Sequence, residues 1–474
     1  MFLLHAPMLQ ALVGILYVLL AAAVTVDVLL KKSDVRGALG WIGAAWFSPI
    51  LGGLIYYLFG INRVTRRALR MSRLTDAQIE DQVSADLKGA PENIRALFDV
   101  GARLNGGPLT GGNDLAVLQG GDAAYPEMLA AIASASQSIA LTSYIFRDDA
   151  AGRKFSEALI AAKARGVAVR VLLDSVGAGY IFSPTFSRLR AGGVTAARFL
   201  HTWLPWRMPF LNMRNHRKLL VVDGAIAFMG GMNIGAENCR TLHPRDFITD
   251  IHFRVRGPVV RLIMDAFARD WSFTTHESLD EDFWWPDLAP RGPVYAQGLR
   301  SGPDADIYKL EMLLGGALSL AKKRIRIVTP YFLPDARLQF AIAQACLRGV
   351  EVEIVLPEYC NYLIMDWAMR AHLRFFRHIA ANIYTTPPPF DHSKLCIMDD
   401  AWCLIGSSNW DARSFRLNFE FDLECYDPAL GQALNAIIDA KIARGNRLSV
   451  AALLARPVWI RLRDAAARLM MPYL

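Results

Sequence analysis

Two short stretches of this chain carry the same reactive side chains at the same spacing. His216-Arg-Lys218-Leu-Leu-Val-Val-Asp223 and His392-Ser-Lys394-Leu-Cys-Ile-Met-Asp399 both read H-x-K-x-x-x-x-D. Each is followed at a similar distance by a turn of small residues ending in Asn: Gly230-Gly231-Met232-Asn233, and Gly406-Ser407-Ser408-Asn409. With nine histidines in the chain, chance supplies one bare match in roughly a hundred such sequences; two matches with matching sequels are not accidental. Imidazole attacks phosphorus or relays a proton near neutral pH, and a lysine ammonium is a point charge for phosphate oxygens. Asn amides and the backbone N–H groups of a tight turn add phosphate donors. A lone His in an apolar stretch is more often a satisfied core residue; the pairing turns the reading toward phosphate chemistry.

Such side chains need rigid elements behind them. In an extended strand alternate residues share a face, so His216 and Lys218 emerge together, as do His392 and Lys394. The apolar stretches 219–222 and 395–398 suit strands buried in a sheet. Upstream, the chain repeats itself. A strand ending Thr142-Ser-Tyr144, a helix from about Gly152 and a strand entered through Ala164-Arg165-Gly166-Val167 match a strand ending Thr329-Pro-Tyr331, a helix from about Asp335 and a strand entered through Leu347-Arg348-Gly349-Val350. Each half is a β-α-β unit with a glycine closing its helix. The expected fold is therefore α/β: two lobes about a pseudo-twofold axis, over 114–285 and 286–430, joined by the proline-rich link 286–293.

The two motifs resemble the paired signatures of the phospholipase D superfamily. The second copy is the fuller one: Gly406-Ser-Ser-Asn409-Trp-Asp411-Ala-Arg413-Ser414-Phe-Arg-Leu-Asn418-Phe-Glu420. The first lacks the Asp-x-Arg-Ser tail. The resemblance runs from about Asp114 to Tyr426. It implies that both copies meet at one pocket, where one His becomes a phosphohistidine, the other protonates the leaving alcohol, and neither metal nor cofactor takes part. His216, Lys218, Asp223, His392, Lys394 and Asp399 are then the catalytic set, with Asn233 and Asn409 binding the phosphate. Two further carboxylates would orient the imidazoles: Glu420 fits the Asn-x-Glu tail of the second copy, and Asp250 is its choice in the first, with Asp246 and Glu237 as rivals.

Features outside the pocket narrow the substrate. The run 9–30 is almost wholly apolar and long enough for a bilayer, and 37–61 is a second uncharged run with Trp41, Trp46, Tyr56 and Tyr57 placed like interface aromatics. The reading is a transmembrane helical hairpin, the anchor 1–62; a re-entrant pair is the alternative, since Pro49 and several glycines interrupt the second run. Arg63, Arg66, Arg67, Arg70 and Arg73 follow it, against Lys31, Lys32 and Arg36 in the connector, so the lobes are expected to face the cytoplasm across a bacterial inner membrane. Residues 63–113 read as a basic, partly helical connector. The stretch 51–63 resembles the anchor of bacterial cardiolipin synthases, which implies joining two phosphatidylglycerols into cardiolipin and glycerol; a membrane phospholipase D that transfers to water is the alternative. A charge of +8 and pI near 9.2 suit anionic lipid or nucleic acid, and the intact motifs with a membrane anchor favour lipid over nucleic acid. Oligomeric state stays open. Six cysteines without C-x-x-C spacing read as reduced and structural. The segment 201–210 (His201, Trp203, Trp206, Arg207, Phe210) reads as a headgroup-level element or an interlobe loop. The tail 431–474 reads as helical, with 459–469 interfacial or core-capping.

Overall fold

A computed structural model describes residues 5–32, 35–57, 87, 89–105, 109–203, 213–303 and 306–471. The chain divides into two compact units, 1–67 with 203–210, and 68–202 with 211–474. The arginines at 63–73 and residues 204–210 of the aromatic, basic segment lie outside the described residues.

In the first unit, helix His5–Lys31 is about 40 Å long at 1.5 Å per residue. Its stretch Met8–Lys31 has mean hydropathy 2.4 and is long enough to cross a bilayer. The described part of the second apolar run, 37–57, is two shorter helices. It is broken at Ser48 into helices Val35–Phe47 and Pro49–Ile55, because Pro49 has no N–H to continue the ladder and instead starts a new helix. The chain then turns back on itself. Gly52 lies so near Ala44 that a Cβ there would meet its carbonyl oxygen at 2.2 Å, and the rings of Trp41 and Tyr56 are 5.4 Å apart. The folded-back pair is tied to the long helix by Trp46 Nε1–H donating to Thr25 Oγ1 at 3.1 Å and Tyr56 O–H donating to Asp27 Oδ2 at 2.8 Å. Among the described residues, then, one helix is span-length and a helical turn-back is packed on it.

The second unit is built on β1 (Thr110–Gln119), β2 (Ser138–Ser143), β3 (Ala168–Asp174), β4 (Thr195–Phe199), β5 (Arg214–Asn215), β6 (Leu219–Val222), β7 (Ile226–Gly230), β8 (Ile251–Arg256), β9 (Val294–Ser301), β10 (Arg324–Val328), β11 (Glu351–Pro357), β12 (Asn382–Thr386), β13 (Leu395–Met398), β14 (Trp402–Gly406), β15 (Asn418–Tyr426) and β16 (Asn446–Arg447). Their order is β16-β12-β11-β10-β13-β14-β15-β9-β1-β8-β7-β6-β2-β3-β4, with β5 set apart against β15. The order reads the same from either end once β16 is set aside. Each lobe has three parallel strands (β2, β3, β4 or β10, β11, β12) followed by an antiparallel set (β6, β7, β8 or β13, β14, β15). Antiparallel pairing of β1 with β9 joins the lobes at the centre.

Local sequence accounts for the repeat. Helices Ala150–Ala164 and Ala336–Leu347 both begin at an aspartate, Asp149 or Asp335, whose carboxylate accepts two first-turn N–H groups. Both end near a glycine at positive φ, Gly166 at 93° and Gly349 at 84°, a conformation that only glycine adopts without strain. Burial confirms the layers: every residue of β2, β6, β13, β14 and β15 is buried, as expected of strands covered on both faces. The stretch read as a connector also enters the core. Ile94 and Leu97 of helix Glu92–Asn105 pack with Leu299, Leu310 and Leu313 of the second lobe.

The C-terminal helix Val458–Leu469 packs on the second lobe through one face. Arg463 stacks on Trp367, 4.3 Å from its ring centre, and Arg468 lies 5.3 Å from that of Phe375, so one face caps the second lobe. Val458, Trp459, Leu462 and Leu469 on its other face are exposed.

Candidate active site

The two histidines meet because each lobe lends a strand to the other. Just before its H-x-K motif, β5 of the first lobe pairs in parallel with the start of β15 in the second, Arg214 against Asn418 and Asn215 against Phe419. The matching pairing in the other direction is Asp391 against Thr249. His216 N–H then donates to the carbonyl of Phe419 at 2.9 Å, and His392 N–H to that of Thr249 at 2.7 Å. The residue after each of those carbonyls is a carboxylate. His216 Nδ1 lies 2.9 Å from Glu420 Oε2, and His392 Nδ1 lies 2.8 Å from Asp250 Oδ2. Each imidazole is therefore oriented by the opposite lobe, a crossing that no pattern local to one motif reveals. Asp250 and Glu420 are equivalent: Gly230 faces His252 and Gly406 faces Asp422, so the carboxylates stand two residues before matching positions. Of the two rivals, Glu237 is held by Arg147 at 3.1 Å and Asp246 is exposed.

With Nδ1–H committed to a carboxylate, Nε2 of each ring is the atom left for chemistry. Both histidines line one pocket of about 340 Å³ together with Asn233, Asn409, Tyr144, Tyr331, Arg214 and Arg413. Asn233 Oδ1 accepts from Ile145 N–H, and the buried Oδ1 of Asn409 has no protein partner. Lys218 and Lys394 sit behind the rings, each donating to the carbonyl of its own His, and Lys394 Nζ is 2.9 Å from His392 Nδ1.

Charge is tuned by burial. Burial pushes His216 down to about 4, against the pull of Glu420, and Lys218 deepens the drop. Burial and Lys394 also lower His392, which Asp250 opposes. Burial would raise Glu420, but His216, Lys218 and Ser407 outweigh it and hold the carboxyl near 2. Glu420 accepts from Ser407 Oγ at 2.6 Å, Ser414 Oγ at 2.9 Å and Asn418 Nδ2 at 3.1 Å as well as from His216, so every lone pair facing the site has a donor. Burial lowers Lys218 to about 7 and lowers Lys394 too, since four cationic or protonatable groups share one dry enclosure.

Asp223 and Asp399, grouped on the sequence with the catalytic residues, stand elsewhere. Asp223 accepts the N–H groups of Ser136, Gln137 and Ser138, and Asp399 those of Lys322, Lys323 and Arg324 together with Asn93 Nδ2. Both have a φ of 49°, which aspartate tolerates. Each pins the turn that enters its lobe's first parallel strand, and neither lines the pocket. Their offset of five from Lys was a signal: an odd step along a strand turns a side chain to the opposite face. Tyr144 and Tyr331 were not singled out, although they occupy the same place in the repeat. The Tyr144 ring centre is 5.0 Å from that of His216, and the Tyr331 ring centre 6.3 Å from that of His392.

Comparison with known proteins places the chain in a family. A family described as "Cardiolipin synthase, PLD-like domain" matches residues 128–271 and 314–442, one segment per lobe, and a "Phospholipase_D-nuclease N-terminal" family matches 19–60. The major cardiolipin synthase of Bacillus subtilis is 32% identical over 99% of both chains. A cardiolipin synthase of Alkalihalophilus pseudofirmus is 31% identical over 92% of this chain and 88% of its own. Among solved structures, a phosphatidylserine synthase from Haemophilus influenzae superposes with a TM-score of 0.61 at 16% identity, over 81% of this chain and all of that one, a likeness of fold. A third of the residues kept from end to end of both chains, over two matched lobes, makes this protein a member of the bacterial cardiolipin synthase family of phospholipase D-like enzymes.

Proposed function

We propose that the enzyme transfers a phosphatidyl group from one phosphatidylglycerol to another, giving cardiolipin and glycerol. The observation that carries this reading is the pair of imidazoles, each fixed by a carboxylate of the opposite lobe, that open on a single pocket. His216, neutral at working pH, attacks the phosphorus of the first lipid through Nε2 while His392, protonated on both ring nitrogens between Asp250 and the anionic phosphodiester, gives its Nε2 proton to the departing glycerol oxygen. A phosphorus–nitrogen bond forms as the phosphorus–oxygen bond breaks. The second lipid's terminal hydroxyl then gives its proton to His392 and attacks phosphorus, which releases His216 unchanged. Asn233, Asn409 and the two lysines offset the charge that builds on the non-bridging oxygens. Asp223 and Asp399 hold the strands from behind.

The long helix anchors the enzyme in the inner membrane. The basic residues Lys31 and Lys32 at the C-terminal end of that helix support a cytoplasmic catalytic unit. Purified full-length enzyme in phosphatidylglycerol vesicles tests the chemistry: equimolar cardiolipin and glycerol are expected, whereas phosphatidic acid with glycerol would identify a hydrolase.

A further inference from the structure

Helix Leu363–His372 links the pocket to the C-terminal helix. Tyr362, which caps its start, and Ile364 in its first turn both line the pocket. One turn beyond Ile364 stands Trp367, the ring beneath Arg463 of helix Val458–Leu469. Uncovered apolar groups gather along this short path. Tyr362 and Leu363 are exposed at the pocket, and Val458, Trp459, Leu462 and Leu469 on the C-terminal helix are between 64% and 73% exposed. At about 100° per residue those four share an arc of roughly 100°, while the buried Asp464 and Ala467 lie on the far side. Single exposed leucines are ordinary, but four large apolar side chains on one face of a 12-residue helix mark a surface that meets something.

The charge around this face selects what it meets. Arg461 stands at its edge, and Arg374 and Arg377 belong to the turn Leu373–His378 that continues the pocket helix. All three are exposed, and none has an acidic partner among the described residues. Arg374 and Arg468 lie over the ring of Phe375, 5.0 and 5.3 Å from its centre, so the basic turn adjoins the C-terminal helix. A second copy of the chain docked face to face would bring unpaired guanidiniums toward their own twins and strip their water. An anionic bilayer satisfies both halves of the surface. Lipid phosphates pair with the guanidiniums at headgroup level, while the apolar arc and its tryptophan enter the acyl boundary.

We propose that the outer face of helix Val458–Leu469 is a membrane-docking surface of the catalytic unit, which seats in the headgroup region of a phosphatidylglycerol-rich bilayer and sets the pocket mouth against it. The proposal rests on the reading that the substrate is a bilayer lipid. Docking acts on access and leaves the chemistry alone: a lipid passes Tyr362 and Leu363 into the pocket without first leaving the interface.

Two measurements test it on the full-length enzyme. In the first, a benzophenone amino acid replaces Leu462, and the protein is irradiated in phosphatidylglycerol vesicles; a covalent lipid adduct is expected. A covalent protein dimer in its place would assign the face to contact between copies and overturn the proposal, and so would the absence of any adduct. In the second, cardiolipin formation is compared between vesicles and dispersed short-chain phosphatidylglycerol in detergent. Trp459→Ser combined with Leu462→Ser should lower the vesicle rate by about tenfold. Arg461→Glu, which leaves the apolar face intact, should lower it by about fivefold at low salt and less at high salt. On the dispersed lipid all variants should stay within about twofold of wild type, because the pocket itself is unchanged. Equal losses on both substrates would mean that the face serves folding, and would overturn the proposal. Wild type that makes no cardiolipin from either substrate overturns the transferase reading and leaves the adduct to decide the docking surface.

Discussion

The two lobes solve the same support problem with opposite charges. In the first, the residues flanking the catalytic His are Asn215 and Arg217; Arg217 is paired at 2.6 Å with Asp270 on helix Val260–Thr275, and Asn215 Nδ2 donates to the same carboxyl at 2.8 Å. In the second, the flanking residues are Asp391 and Ser393, and the partner on the equivalent helix Pro428–Arg444 is Lys441. Strand cation with helix anion has become strand anion with helix cation. What matters for catalysis is a rigid, closed network beneath the imidazole, and either polarity provides it. The carboxylates above the rings differ as well. Glu420 is wrapped by two hydroxyls and an amide, whereas Asp250 receives the backbone N–H of Ile251 beside His392. At the position of Ser407 the first lobe has Gly231, where a Cβ would come within 2.5 Å of Asp250 Oδ1, so the shorter acid and the missing side chain fit each other.

Removing either histidine is the largest perturbation and erases the comparison, since each lobe supplies half of one acid–base pair. His216→Ala and His392→Ala should each lower turnover by about 10⁴-fold or more, the nucleophile exceeding the usual ~10²–10⁴-fold acid–base loss. Near-wild-type rates in a folded variant would remove that residue from the chemistry. Trapped phosphoenzyme in His392→Ala, and none in His216→Ala, would check the assignment of roles.

Exchanging the carboxylates for amides measures the difference between the lobes directly. Glu420→Gln should cost about 10²–10³-fold, because the ionised carboxylate fixes the tautomer of His216 and four donors converge on it; Asp250→Asn should cost closer to about 10-fold. Equal losses in steady-state rates would mean that the extra donors around Glu420 serve only folding.

The reversed ion pairs should break unequally. Burial raises the Asp270 carboxyl despite Arg217, while Lys441 and Ser393 keep the Asp391 carboxyl low against burial. Asp391→Asn, which strands a buried ammonium, should therefore cost about 3–5 kcal/mol in denaturant unfolding, and Asp270→Asn less, about 1–3 kcal/mol. The reverse ranking would show that polarity is not neutral.

A pH-dependent effect uses equivalent positions that titrate in opposite senses. Burial lowers His252 to about 4 and raises Asp422 to about 7, the latter opposed by Ser408. A His whose folded pKa is depressed contributes stability above about 6.5 that fades as pH falls toward 4. An Asp whose folded pKa is raised contributes most below about 4 and loses it as pH climbs through about 7. Asp422→Asn should thus gain on wild type by up to about 3 kcal/mol between pH 5 and pH 8, measured as the pH dependence of the unfolding midpoint. A constant offset between the two proteins would contradict this.

The strands and the repeat were legible because each depends on local spacing: alternation along 216–222 and 392–398, and glycines closing two helices at the same point; the meeting of the motifs was implied by the family resemblance alone. The crossed pairing was not, since Glu420 belongs by sequence to the second motif and by contact to His216. Pro49 did announce the broken second run, but only the contacts of Trp41, Trp46 and Tyr56 decide that the chain folds back.

Crossing has a consequence for how the enzyme is made. Glu420 leaves the ribosome 204 residues after His216, a delay of about 10–40 s at 5–20 residues per second. During that interval the first lobe can fold beside the membrane with its imidazole in place yet without the carboxylate that selects its tautomer or the strand that closes its pocket. A half-made chain therefore holds an imidazole whose tautomer is not yet fixed. The site is closed only when β15 arrives, late in synthesis, so the order of the chain itself delays its assembly.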